Sequence, residues 1–181
     1  GISMGGLIGM ALASMAGTPV RRLVLSDVGP EITTESIQRI ASYVGTDPRW
    51  ASLEQAEAYI RTVSAPFGKL TDAQWLHMTE HCVRQDSDGS WRFRYDPKIA
   101  EPFKASFAGG PIDLWPYYER VTCPTLVVRG AESDLLTRET WQRMGSCGPR
   151  AKLVEIPEVG HAPMFLTDDQ IAVARDFLLA S

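Results

Sequence analysis

The 181-residue chain has only three cysteines, Cys82, Cys123 and Cys147, set far apart and without CxxC spacing. That pattern excludes a disulfide framework and a cysteine-based zinc site, and it suits a reducing, cytoplasmic setting. Basic residues are not in excess: 18 Lys and Arg against 22 Asp and Glu give a net charge of −4. Nucleic-acid binding needs a basic face, so no nucleic-acid partner is expected. Long apolar runs are missing too. The longest, from Gly5 to Gly17, is too short and too rich in glycine to span a bilayer, so no membrane partner is expected. What is present is ordinary for a globular chain, with 44% hydrophobic and 22% charged residues. That length accommodates one sizeable core, or one core with an appended subdomain.

Three zones follow one another. Residues 1–30 pair a small-residue helix pattern (Gly5 to Met15) with the strand pattern RRLVLSD, across a Gly-Thr-Pro turn. Leu23, Val24 and Leu25 show no alternation, as in a parallel strand buried on both faces. Residues 31–113 read as a helical insertion. Ile37, Ile40, Ala41 and Val44 fall at i, i+3, i+4 and i+7, followed by Gly45 at a helix-ending position. Ser52 to Gln55 and Thr71 to Gln74 fit the capping box, and Asp88-Gly89 marks a turn with a short extended piece after it. Residues 114–181 return to alternation: a strand from Pro124 to Gly130, a helix from Thr137 to Met144, and a strand from Ala151 to Ile156. A last helix, Asp168 to Leu179, carries apolar residues Ile171, Ala174, Phe177 and Leu178. Strands alternating with helices imply an α/β fold with a parallel sheet.

Chemistry enters with Gly1-Ile2-Ser3-Met4-Gly5. In a G-x-S-x-G elbow the serine occupies a strained strand-to-helix turn, and a Cβ at either glycine is expected to crowd it. The Met4 N–H, at the start of the helix, is placed to donate to a developing oxyanion, helped by the positive helix end. The competing reading of Ser3 is a helix N-cap. Of three histidines, only His161 lies just past a predicted strand, where a loop presents it at the carboxyl edge of the sheet. His77 and His81 stand four apart on a predicted helix but lack the H-E-x-x-H pattern, so a solvated face is expected and no metal. The acid should also follow a strand. Asp134 does so, with Glu132 and Asp27 as rivals. The chain order Ser3, Asp134, His161 favours Asp134.

These segments, GISMGG, RRLVLSDVGP, CPTLVVRGAESD and VEIPEVGHAPMF, together resemble the α/β-hydrolase superfamily, in particular its cap-bearing bacterial esterases, enol-lactonases and carbon–carbon bond hydrolases. The resemblance implies a serine hydrolase acting on a small ester, lactone, thioester or activated ketone. Ser3 would be nucleophile, His161 base and acid, Asp134 the orienting carboxylate, and Met4 an oxyanion donor. Residues 31–113 would form a lid, the partner would be a small-molecule substrate, and no cofactor would be needed. Members of the superfamily carry several strands before the elbow, whereas this chain starts at it and without methionine. It is therefore expected to be the carboxyl-terminal part of a longer protein. A non-catalytic ligand-binding module of the same fold is the alternative, and an intact Ser-Asp-His set argues against it.

Overall fold

The computed structural model describes residues 1–101 and 111–180. It divides into two compact units. Unit one joins Gly1–Thr34 and Pro111–Ser181 with the short segment Pro66–Lys69; unit two comprises Glu35–Ala65 and the described part of Leu70–Gly110. Residues 66–69, which the sequence places inside the helical insertion, thus group with unit one. Residues 102–110 of that insertion lie outside the described residues.

Unit one is built on a parallel sheet. Its strands are β1 (Leu23–Ser26), β6 (Thr125–Gly130) and β7 (Lys152–Ile156), in the order β1-β6-β7. All six residues of β6 are buried, as the unbroken apolar run requires of a central strand. Leu126 and Val128 of β6 pack with Ile156, Val159 and Phe177 into the core. The first helix, α1 (Met4–Ala13), buries Gly6, Met10 and Ala13. An exposed apolar row remains on it at Met4, Ile8 and Leu12. A short antiparallel pair, β2 (Glu31–Ile32) with β5 (Ile112–Asp113), brackets the segment that forms most of unit two.

After β5 come the short helix α5 (Trp115–Tyr118), then α6 (Arg138–Met144) between β6 and β7, and α7 (Asp168–Leu179) after β7. Tyr118 is fully buried and donates its hydroxyl to the Met144 carbonyl at 2.7 Å. Burial raises its pKa, so the phenol stays neutral. The α7 boundaries match the sequence reading, and so does the burial of Phe177, but the rest of its buried face does not. Ile171 and Leu178 are exposed, while Gln170 and Phe177 are buried. Gln170 is tolerated inside because its Oε1 accepts the Phe165 N–H at 2.9 Å, and this bond turns the 170/177 side of the helix inward.

Unit two is mostly helical: α2 (Thr34–Tyr43), α3 (Leu53–Val63) and α4 (Asp72–Cys82). Thr71 and Gln74 form the complete capping box at α4. At α3, Ser52 accepts the Gln55 N–H, but the Gln55 side chain reaches the Ala51 N–H instead of that of Ser52. The Asp88-Gly89 turn closes a hairpin of β3 (Val83–Gln85) and β4 (Trp91–Phe93). The sequence indicates only the second of these strands, since Val-Arg-Gln carries no alternation long enough to register.

Candidate active site

Strand register brings the chemical residues to one level of the sheet. Ile2 makes a parallel bridge to Ser26; Ser26 is in register with Val128, and Val128 with Val154. The residues one step further along the two leftmost strands are Ser3 and Asp27. Neighbouring strands lie about 4.8 Å apart, so the two leave the carboxyl edge of the sheet side by side. Backbone bonds hold this arrangement: Ser26 N–H to the Gly1 carbonyl at 2.9 Å and Ser3 N–H to the Ser26 carbonyl at 3.2 Å.

Ser3 has φ 49° and ψ −123°, in a region that L-residues rarely occupy. Ser3 stands at the N-cap position of α1, but its side chain makes no capping hydrogen bond to the helix. Among the described residues, no backbone carbonyl accepts from the Met4 N–H at the start of α1.

The glycines around the serine divide the work differently from the sequence expectation. A Cβ on Gly1 would lie 2.3 Å from the Gly5 carbonyl oxygen, as expected. A Cβ on Gly5 would meet nothing within 4 Å, which corrects the expectation for that position. The crowded partner is Gly6, whose Cβ would lie 2.4 Å from Val28 Cγ1, because α1 crosses β1 there. Gly5→Ala is therefore expected to be neutral or to stabilise the protein by up to about 1 kcal/mol, through helix propensity alone. Gly6→Ala should destabilise it by about 1–3 kcal/mol through overpacking. Thermal denaturation of the two variants checks the contrast.

His161 sits on the loop after β7, half-buried, and its Nδ1 lies 2.8 Å from Asp27 Oδ2. A carboxylate only accepts, so Nδ1 carries the proton and Nε2 is left as the basic nitrogen. The structure thus brings His161 to Asp27. Asp134, the sequence-favoured acid, is exposed and is not the carboxylate at Nδ1; Glu132 is exposed as well. The reason is the register described above. Asp27 follows the strand that flanks the serine, is fully buried, and has φ 50°, which turns its side chain off the strand path.

A buried carboxylate needs donors on its oxygens. Besides His161, Asp27 accepts the Gly130 N–H on Oδ1 at 2.8 Å and the Ser133 hydroxyl on Oδ2 at 2.6 Å. Neither donor was legible as a site residue. The motif Glu132-Ser133-Asp134 draws attention to its charges, and the hydroxyl between them is what reaches Asp27.

Several contacts hold the two loops together. The Glu132 N–H donates to the Val159 carbonyl at 2.9 Å, and the Ser26 hydroxyl donates to the Pro163 carbonyl at 3.0 Å. Gly130 permits the close approach, since a Cβ there would lie 2.3 Å from the Gly160 carbonyl oxygen. Gly160 in turn donates its N–H to the Pro66 carbonyl at 2.7 Å, which accounts for the grouping of 66–69 with unit one.

His77 and His81 are both exposed on α4, and the His81 Nδ1–H donates to the His77 carbonyl at 2.7 Å. Among the described residues, no group of three or more His, Cys, Asp or Glu could hold a metal ion. No described helix is long and apolar enough to cross a membrane.

Several known proteins are similar to this chain over most of its length. The chain is 45% identical over 184 residues to a 3-hydroxybutyrate-oligomer hydrolase of Cupriavidus necator, covering 98% of this chain and 63% of that protein. An esterase of Mycobacterium tuberculosis is 32% identical over 143 residues, covering 76% of this chain and 45% of that protein. The chain therefore spans less than two thirds of the length of these curated relatives. Among solved structures, an alpha/beta hydrolase from Novosphingobium aromaticivorans superposes with a TM-score of 0.86 at 36% identity, covering 98% of this chain and 63% of that one. The sequence model of the alpha/beta hydrolase family matches residues 1–175, and the chain belongs to that family.

Proposed function

We propose that this chain carries the active site of a serine hydrolase acting on carboxylic esters, with Ser3 as nucleophile, His161 as base and acid, and Asp27 as the orienting carboxylate. The observation that carries the reading is the Asp27–His161 hydrogen bond at 2.8 Å, formed beside a strained serine on the adjacent strand end. Asp27 takes the role the sequence had favoured for Asp134.

In the reaction, Ser3 Oγ adds to the ester carbonyl carbon as its proton passes to Nε2 of His161. Asp27 holds the ring by Nδ1–H and stabilises the imidazolium that forms. The Met4 N–H donates to the tetrahedral oxyanion, with the positive end of α1 behind it. Collapse expels the alcohol, which takes the proton from His161 and leaves an acyl-serine. Water then attacks that ester with His161 again as base, releasing the carboxylic acid and restoring Ser3.

The relative that acts on 3-hydroxybutyrate oligomers makes a short hydroxyacid oligoester the first substrate to test. Lactones, thioesters and activated ketones follow from the same acyl chemistry.

A fluorophosphonate applied to the full natural protein, followed by peptide mapping, tests the assignment of the nucleophile. Stoichiometric modification at Ser3 is the expected result. Absence of modification by any active-serine reagent, or modification at another serine, would overturn it.

A further inference from the structure

We infer that Ser133 is a positioning residue for the acid–base pair: its hydroxyl sets the direction of the Asp27 carboxylate, and through it the ring of His161. The inference rests on the hydrolase reading above.

A hydroxyl has one proton to give and two lone pairs to accept with. At Ser133 all three are engaged. The oxygen accepts the Leu136 N–H at 3.0 Å and the Leu135 N–H at 3.2 Å. With both lone pairs taken by backbone donors, the proton has one place to go, Asp27 Oδ2 at 2.6 Å. The hydroxyl is therefore locked in direction, unlike an ordinary serine rotor.

The same Oδ2 receives His161 Nδ1, while Oδ1 receives the Gly130 N–H. Two donors, one at the end of β6 and one on the loop after it, thus grip the carboxylate on its two oxygens, and the histidine takes the direction left over. Without the hydroxyl, Asp27 could rotate about its Cβ–Cγ bond and carry the ring with it.

The loop that carries Ser133 is itself fixed from below. The buried Arg129 donates from Nε to the Leu136 carbonyl at 2.7 Å, from Nη1 to the Ala131 carbonyl at 3.1 Å, and from Nη2 to the Ser133 carbonyl at 3.3 Å. Glu155, opposite Arg129 on β7, accepts from its Nη1 at 2.7 Å, so the guanidinium is both paired and spread over the loop. This is a rigid base for an orienting group, rather than a mobile turn whose serine happens to reach an aspartate.

The test compares Ser133→Ala, Ser133→Thr and Asp27→Asn in the full natural protein, using a simple aryl ester. Ser133→Ala should lower kcat by about 10- to 100-fold, the scale of a misplaced catalytic group, with KM changed less than about twofold. Ser133→Thr keeps the hydroxyl and should recover most of kcat. The far-downfield proton signal of the His161 Nδ1–H should shift or broaden in Ser133→Ala and persist in Ser133→Thr. If Ser133→Ala does not fold, Ser133→Cys takes its place, with similar volume and a weaker donor, and an intermediate kcat is expected. A folded Ser133→Ala or Ser133→Cys with wild-type kcat and an unmoved proton signal would overturn the inference while Asp27→Asn remained inactive. Full activity in Asp27→Asn would instead overturn the hydrolase reading with Asp27 as acid.

Discussion

Asp27→Asn is expected to reduce kcat on an ester by about 10⁴-fold, and Asp134→Asn to leave it within a few-fold of wild type. The asymmetry follows from what each side chain touches. An amide at position 27 can present its NH₂ to His161 and so favour the wrong tautomer, leaving no basic nitrogen toward Ser3. It also cannot stabilise the imidazolium by charge. The buried site makes matters worse, since Ser133 and Gly130 both donate toward Asp27 and an amide offers only one accepting oxygen. Asp134 is exposed, and water can replace whatever its carboxylate contributes. Burst kinetics on an aryl ester, with circular dichroism to confirm the fold, reads both variants.

Ser3→Gly should abolish turnover, by about 10⁶-fold, and at the same time stabilise the fold. The second half is the informative one. With φ 49° and ψ −123°, Ser3 holds a backbone conformation that strains an L-residue by about 1–3 kcal/mol. Glycine relieves that strain and gives back about 0.5–1 kcal/mol through its freer unfolded state. The net gain should raise the melting temperature by a few degrees for a domain of this size. Ser3→Ala loses the same activity without the relief, so the difference between the two melting temperatures reads the strain at Ser3 less the entropic cost of glycine. A Ser3→Gly variant that melts below Ser3→Ala, as the freer unfolded state of glycine alone would make it, would mean that the serine is not held under strain.

Much of the fold is legible in the sequence. The unbroken run Thr125-Leu-Val-Val became the buried central strand, and the small residues after Ser3 became the helix that crosses β1. Ser3 and His161 stand out in the sequence as candidates because each sits next to a strand signal.

The carboxylate that meets His161, Asp27, does not stand out in the same way, for a specific reason. The order serine, aspartate, histidine, taken in the sequence as favouring Asp134, holds equally for Asp27 and so does not choose between them. The choice depends on which strand lies beside the one entering the elbow, and hence on the Ile2–Ser26 bridge. Strand adjacency is a long-range property, and local pattern does not encode it. Ser133 was hidden for a related reason: a hydroxyl between two carboxylates has no signature until its proton is seen to have one acceptor. The face of α7 shows the limit of periodicity: Phe177 packs into the core and Gln170 is buried with a hydrogen-bond partner, while Ile171 and Leu178 remain in solvent.

The central claim is that Asp27, paired with His161, activates Ser3, and it can be tested without knowing the substrate. The rate of phosphonylation by a fluorophosphonate measures nucleophile activation directly. The account predicts that Asp134→Asn reacts at close to the wild-type rate and that Asp27→Asn reacts on the order of 1,000-fold more slowly or less. A slow Asp134→Asn beside a fast Asp27→Asn would contradict it and return the acid to the loop after β6.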